Sequence, residues 1–404
     1  MAEWTSALLS RVTTKIGSGA TPLGGEAAYQ PAGIPLIRSL NVHDGEFRHK
    51  GLAFIDDAQA AGLSNVVVAA GDVLLNITGA SIARCCVAPP DLVGARVNQH
   101  VAILRPQVDR LLPQFLQYLL ISGDYKERLL ATGEAAGATR QALTKAQLQG
   151  FVVRFPASVT AQRRIVAILD EAFEGITTAK ANAEKSLQDA SELFDSRLRF
   201  LVNEQAEGSD RKTLREIAID FGRGKSKHRP RNDPKLYGGP YPFIQTGDVR
   251  GSHHIITEFA QTYSDAGLAQ SKLWPKGTLC ITIAANIAET GVLGFDACFP
   301  DSVIGVVVDE RQTSSKYLEY MLQTVKAELK AKGKGSAQDN INLATFENER
   351  FPFPDLGTQA RIVESLDALA VEIQRLEATY ANKLAALDEL KRSLLHQAFS
   401  GGLS

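Results

Sequence analysis

The sequence predicts an α+β protein built twice over: two mixed α/β globular domains, each followed by a long helix, with the helices pairing inside one chain. Three observations lead there. Short motifs recur in the same order in both halves, two long segments keep a 4-3 apolar spacing, and the blocks between them show short alternating runs broken by Gly and Pro. These divide the 404 residues into 1–156, 157–204, 205–355 and 356–404.

The duplication is legible residue by residue. Gly33-Ile34-Pro35-Leu36-Ile37-Arg38 is answered by Pro240-Tyr241-Pro242-Phe243-Ile244-Gln245. Gly71-Asp72-Val73-Leu74-Leu75-Asn76-Ile77-Thr78 is answered by Gly277-Thr278-Leu279-Cys280-Ile281-Thr282-Ile283-Ala284, and Gln162-Arg163-Arg164-Ile165-Val166 by Gln359-Ala360-Arg361-Ile362-Val363. Inside the globular blocks, runs such as Asn65–Ala70 and Ser302–Val308 read as strands, and Leu112–Leu130 and Ser315–Lys330 as helices.

The first long helix has its seam at Ile165, Leu169, Ala172, Ile176, Ala179, Ala183, Ser186, Ala190, Leu193 and Arg197. The second has Ile362, Leu366, Leu369, Ile373, Leu376, Tyr380, Lys383, Leu387, Leu390 and Leu394, each 197 residues after its counterpart. Such a spacing keeps one stripe facing a partner helix, and the duplication supplies that partner in the same chain. Pro156 and Pro354 stand just before the two segments, where a helix start tolerates proline. At 1.5 Å per residue each helix should reach about 60 Å.

Composition removes several functions. The apolar fraction of 44% suits a globular protein, and no signal-peptide core or membrane-length apolar run is present, so a cytoplasmic protein is expected. Cys85, Cys86, Cys280 and Cys298 form no CxxC pair, and the histidines make no HExxH, so buried thiols and no metal site are expected. No NPPY-like tetrapeptide and no strand–GxGxxG–helix fingerprint occurs. Gly224-Lys225-Ser226 lacks the leading glycine of a P-loop, since Ile219 stands there. Pro300-Asp301 with Glu328-Leu329-Lys330 fits a loose nuclease pattern, but one that chance supplies readily. The net charge of −1 hides a local basic surplus: Arg211–Lys235 holds nine Lys or Arg against three acids, and Lys326, Lys330, Lys332 and Lys334 form a second cluster.

Taken in order, these motifs resemble the specificity subunits of type I restriction–modification enzymes along nearly the whole chain. The resemblance runs through Thr21-Pro22, Ile34–Ile37, Gly71–Gly79 and Val97-Asn98-Gln99-His100-Val101. It continues through Arg229-Pro230-Arg231, Tyr241–Asp248, Ile283–Ile287, Gly335–Asn342 and the two Gln-x-Arg-Ile-Val helix starts. It implies two target-recognition domains that read the halves of a split DNA site, and two helices packed as an antiparallel coiled coil that sets the spacer. It also implies docking of two modification (methyltransferase) subunits and of restriction (translocase/nuclease) subunits. S-adenosylmethionine, ATP and magnesium would sit on those partners, with no cofactor and no catalytic residue on this chain.

Base and phosphate contacts call for forked or cationic side chains on loops. In the first domain the expected contacts are Arg38, Ser39 and Asn41, then Ser81 and Arg84, then Arg140 and Gln141. In the second they are Lys225, Lys227, His228, Arg229 and Arg231, with Gln245 and Thr246, then Asn286, Lys334, Gln338 and Asn340. Lys225–Arg231 suits phosphate gripping, whereas Asn98, Gln99 and His100 suit structural hydrogen bonding. Three rival readings remain at this point. A coiled-coil scaffold or adaptor leaves the basic loop unexplained, a stand-alone nuclease or methyltransferase lacks its signatures, and a related phage-defence system could have reused such a subunit.

Overall fold

The computed structural model describes residues 3–400 except 23, 135–141, 206, 229, 253, 285–286, 334–345 and 347. The chain divides into two compact units, Met1–Ala183 with Ala381–Ser404, and Glu184–Tyr380. Each unit is therefore a globular block together with a stretch of both long helices, so the helices are not bodies of their own.

In the first unit a sheet with strand order Thr13–Ser18, Val101–Pro106, Val73–Asn76, Cys85–Val87 forms the centre. Val73–Asn76 is buried along its whole length because both faces of the sheet are covered. Val73, Leu75 and Leu104 pack with Phe115, Leu116 and Leu119 of the helix Pro113–Ile121. The alternate residues Leu74, Val101 and Ile103 join Leu36, Ile37 and Val97 of a second, smaller sheet. Each fully buried Leu or Ile in these layers contributes about 1.5–3 kcal/mol. Trp4–Leu8 pairs antiparallel with Val152–Pro156 and brings the chain to the first long helix.

The second unit repeats this plan. Its main sheet runs Ala218–Arg223, Val303–Val308, Leu279–Thr282, Thr290–Leu293, with Ile255–Ile256 added at the edge. Leu279, Ile281, Ile304 and Val306 face Tyr317, Leu318 and Met321 of the helix Ser315–Gly333, whereas Cys280 and Val303 face Trp274 and Phe299. Asp210–Lys212 pairs with Phe351–Phe353 as the entry to the second long helix. All four cysteines are buried thiols, as expected.

Two expected elements differ. Asn65–Ala70 is not a strand: Ser64–Val66 is a 3-10 turn, and a single bridge joins Val67 to Arg96. Its alternation does bury Val66 and Val68, but the neighbouring strand Arg96–Val97 is too short to extend the pairing. The helix expected over Leu112–Leu130 breaks at Ser122, whose extended backbone separates Pro113–Ile121 from Gly123–Glu134.

The long helices span Val159–Glu204, 46 residues, and Leu356–Ser400, 45 residues. At 1.5 Å per residue each is about 68 Å long. Within the first unit they run antiparallel. Leu395 and Ala398 share a core with Ile165 and Leu169, Lys391 Nζ lies 5.0 Å from the Phe173 ring centre, and Lys180 pairs with Asp388. Within the second unit Leu198, Leu201 and Val202 pack in the same core as Ile362 and Leu366. Ile176 is buried and Leu369, Ile373, Leu387 and Leu394 are half-buried, but the seam is not closed throughout: Leu193, Leu376 and Leu390 are 59%, 43% and 47% exposed. No helix among the described residues is long and apolar enough to cross a membrane.

Candidate nucleic-acid interface

In each unit the strand pairing gathers several loops at one end of the main sheet. In the first unit Ser18 pairs with Ala102 and Asn76 with Val101, so the loops after 18 and 76 and before 101 meet there. Asn98 N donates to Ile37 O at 3.0 Å, which adds the loop that follows Ile37. In the second unit Arg223 pairs with Ile304 and Thr282 with Val303, and Ile244 N donates to Cys298 O at 2.8 Å. The same loops meet again.

Glycines mark where the first loop leaves the sheet. A Cβ on Gly19 would lie 1.7 Å from Val97 O, and one on Gly224 would lie 2.1 Å from Phe299 O. Both loops therefore leave against a neighbouring backbone, which no side chain would allow. A second shared feature closes the hairpin opposite. Ala83 (φ 66°) and Ala288 (φ 59°) both take the left-handed conformation, and each N–H is held by a strand-end carbonyl, Asn76 O at 2.9 Å and Thr282 O at 2.8 Å. A non-glycine residue there costs about 1–2 kcal/mol. Such strain persists where surrounding bonds over-determine a loop.

The described residues at the loop end of the first unit include a cluster of polar side chains. Thr21 Oγ1 bonds Gln99 Oε1, Gln99 Nε2 lies 3.1 Å from His100 Nε2, and His100 Nδ1 lies 2.6 Å from Thr78 Oγ1. Asn98 is buried and holds His100 N through Oδ1 at 3.0 Å. Asn98 thus has the structural role expected of it, while Gln99 is exposed at the rim beside Thr21.

The expected contacts of this unit separate into two groups. Ser39, Ser81 and Arg84 are partly exposed on the converging loops. Arg38 is folded back: Nη1 pairs with Glu26 at 2.9 Å, Nη2 donates to Gly51 O at 2.7 Å, and the guanidinium lies 5.2 Å from the Tyr29 ring centre. Asn41 needs correction as a surface contact. It is fully buried, with Oδ1 accepting from Arg38 N at 3.0 Å and Nδ2 donating to Arg48 O at 2.9 Å. A short amide that fits an outward reader fits a turn-forming bracket equally well. Arg140 and Gln141 lie outside the described residues.

The second unit presents cations at the equivalent end. Its loop 224–236 is held by its backbone: Lys225 N donates to Phe299 O at 3.0 Å, and Gln270 Oε1 accepts from Lys227 N at 2.6 Å and His228 N at 3.0 Å. This leaves Lys225 and Lys227 as exposed side chains on a fixed backbone. His228 Nε2 and Lys235 Nζ flank Asp233 at 2.9 and 3.2 Å. Despite some desolvation, these partners and the Lys235 N–H hold the Asp233 carboxyl below its ordinary pKa. Arg231 Nη2 donates to both carboxylate oxygens of Asp301, at 3.0 and 3.1 Å, which offsets part of its charge. Gln245 is exposed, donates through Nε2 to Gln261 at 2.7 Å, and precedes Thr246 at the start of the helix Thr246–Gly251. Arg229, Asn286, Lys334, Gln338 and Asn340 lie outside the described residues, as do the side chains of Glu328 and Lys330 from the nuclease-like pattern.

Comparison with known proteins follows the same lines. Residues 207–385 match the family model of the type I restriction modification DNA specificity domain. The chain is 21% identical to the StySPI specificity subunit of Salmonella potsdam, over 99% of this chain and 89% of that protein. It is likewise 21% identical to the EcoKI specificity subunit of Escherichia coli K12, over 92% and 82%. Among solved structures it superposes with TM-score 0.78 and 19% identity on a chain from work on complex assembly and conformational transition of the type I R-M system, covering 100% of this chain and 99% of that one. The HsdS subunit of Thermoanaerobacter tengcongensis gives 0.62 and 20%, covering 99% and 97%. Residues 207–385 thus match the type I restriction modification DNA specificity domain, and the chain as a whole, with its duplicated sheets and two long helices, is similar over almost its full length to type I restriction enzyme specificity subunits.

Proposed function

We propose that this chain reads DNA sequence for a type I restriction–modification enzyme, each unit taking one half of a bipartite target through the loop end of its main sheet. The observation that carries this reading is the repetition of one loop-bearing sheet end in two units of a single chain, with exposed lysines in one and a polar cluster in the other. Exposed Lys225 and Lys227 suit phosphate oxygens, and Gln99, Ser39, Arg84 and Gln245 suit base edges. A split site needs two readers at a set separation, and half-sites on one face of a duplex lie about 34–36 Å apart. Paired helices suit the role of spacer better than a flexible linker.

On this reading the chain contributes recognition and no catalysis. Two methyltransferase subunits and the restriction subunits join it in the cytoplasm and carry S-adenosylmethionine, ATP and magnesium. The decisive experiment is a methylome. The chain is co-expressed with its methyltransferase in a methylation-free host, and N6-methyladenine is mapped across the genome. A split motif that requires both proteins is the expected result. The same marks without this chain would refute the proposal.

A further inference from the structure

Each long helix carries one buried polar residue in its first turn, and the two are equivalent. Gln162 and Gln359 are both the fourth residue of their helix, and they are 0% and 2% exposed. Gln162 Nε2 donates to Pro156 O at 2.9 Å and to Arg110 O at 2.7 Å, while Oε1 accepts from Leu112 N at 2.9 Å. Gln359 Nε2 donates to Pro354 O at 2.8 Å and to Gln312 O at 2.9 Å, while Oε1 accepts from Thr313 Oγ1 at 2.9 Å. One amide thus ties the helix start to the strand that enters it and to the turn that launches the domain helix.

Two turns further along, a second tie repeats. Tyr118 OH donates to Asp170 Oδ1, and Tyr320 OH donates to Asp367 Oδ1 at 2.9 Å. Both tyrosines belong to the domain helices, and both aspartates to the long helices. Leucine at the glutamine positions would bury as much apolar surface without the cost of desolvating an amide. Apolar contact is non-directional, however, and would let a domain rotate or slide on its helix. Two directional ties about 12 Å apart along the helix remove both motions.

We infer that Gln162 and Gln359, assisted by the Tyr118–Asp170 and Tyr320–Asp367 pairs, are positioning residues that fix each recognition domain on its own long helix and thereby the spacer length that is accepted. The inference rests on the reading of the chain as a DNA specificity subunit. Half-site identity belongs to the loop ends, so loss of a tie changes spacer stringency and leaves half-site preference alone.

The test uses the full chain with its methyltransferase and plasmids carrying the two half-sites at the native spacer or at one base pair shorter or longer. Methylation at off-length sites relative to the native length is the readout, because lowered stability alone reduces all lengths in proportion. Gln162→Met should raise that ratio about tenfold, equivalent to about 1.4 kcal/mol of lost discrimination. Tyr118→Phe keeps the ring on Phe173 (centres 5.4 Å apart) and should raise the ratio less, whereas Asp170→Asn keeps the acceptor and should leave it unchanged. An unchanged ratio in Gln162→Met overturns the inference. Should that variant fail to fold, an unchanged ratio in Tyr118→Phe overturns it equally. A wild-type pair that marks no split motif refutes the reading of the chain itself, and is recognised before any variant is compared.

Discussion

Replacing Lys225 and Lys227 together by alanine separates phosphate gripping from base reading. The loop they stand on is held by Phe299 O, Gln270 Oε1 and the close approach of Gly224 to Phe299, none of which involves a lysine side chain. The double substitution therefore removes two charges and leaves the backbone in place. Each phosphate contact adds about −0.9 to the slope of log K against log salt, so the variant should be shallower by about 1.8. Between 50 and 200 mM salt, about a fourfold change, its affinity deficit should shrink about 12-fold relative to wild type. Titration of labelled duplex DNA by fluorescence anisotropy at four or five salt concentrations measures this directly. The loss should be the same on specific and unrelated duplexes, because phosphates carry no sequence. An unchanged slope, or a loss confined to one sequence, would refute the assignment. Arg231→Ala should reduce the slope less, since Asp301 already offsets that charge. Gln245→Ala should leave the slope unchanged and alter sequence preference.

Three further outcomes follow from packing and charge. Asp72 is fully buried, accepts from Ala69 N at 2.7 Å and takes a forked pair from Arg105 at 2.7 and 2.8 Å. Asp72→Ala should cost about 3 kcal/mol, the low end for a broken buried pair because Arg105 is 31% exposed and can rehydrate. Calorimetry should show the first unit melting about 6–12 °C lower, and a loss under about 1 kcal/mol would contradict the role. Ala83→Gly relieves the left-handed strain and should stay within about 0.5 kcal/mol of wild type, whereas Ala102→Gly in a regular strand should cost about 1.5 kcal/mol. Equal costs at the two sites in denaturant unfolding would refute the strain argument.

The third concerns pH. His254 Nδ1 meets the buried Glu319 carboxylate at 2.7 Å, which also accepts from Thr290 Oγ1 and Gln323 Nε2 at 3.0 and 2.9 Å. Burial of the imidazole opposes its charge, but the bond to Glu319 and the fields of Glu319 and Asp367 outweigh it, so the pKa is raised above the ordinary value. The folded form binds the proton more tightly, so the stabilisation is full below about pH 6.5 and is lost as pH rises through the raised value. The melting temperature of the second unit should fall across that window, and the corresponding slope should vanish in Glu319→Gln. A wild-type slope that survives this substitution would assign the effect elsewhere.

Much of the protein was legible in its order of residues. Periodicity is a local property, so the 4-3 seams located both long helices, and alternation with glycine and proline located the globular blocks. Repetition placed Gln162 opposite Gln359 and Gly71–Thr78 opposite Gly277–Ala284, and the family resemblance rested on the same motifs. Side-chain destination was not legible, because burial depends on neighbours far away in the chain. Arg38 and Asn41 have the chemistry of DNA contacts, yet Glu26, Gly51 and Arg48 hold them inward. Gln99 was expected to make structural hydrogen bonds, and strand pairing leaves it exposed beside Thr21 at the loop end.

What the sequence determined by itself is the repeated architecture, since apolar spacing dictates which face of each helix or strand must leave water. Only the tertiary structure decided which polar residues remain available to a partner and which are consumed in holding the fold. Gln162 makes the distinction plain: its motif announces a helix start, but the bonds to Arg110, Leu112 and Pro156 exist only once three separate segments converge. Hydrogen bonds are satisfied by geometry, and geometry is a property of the assembled core.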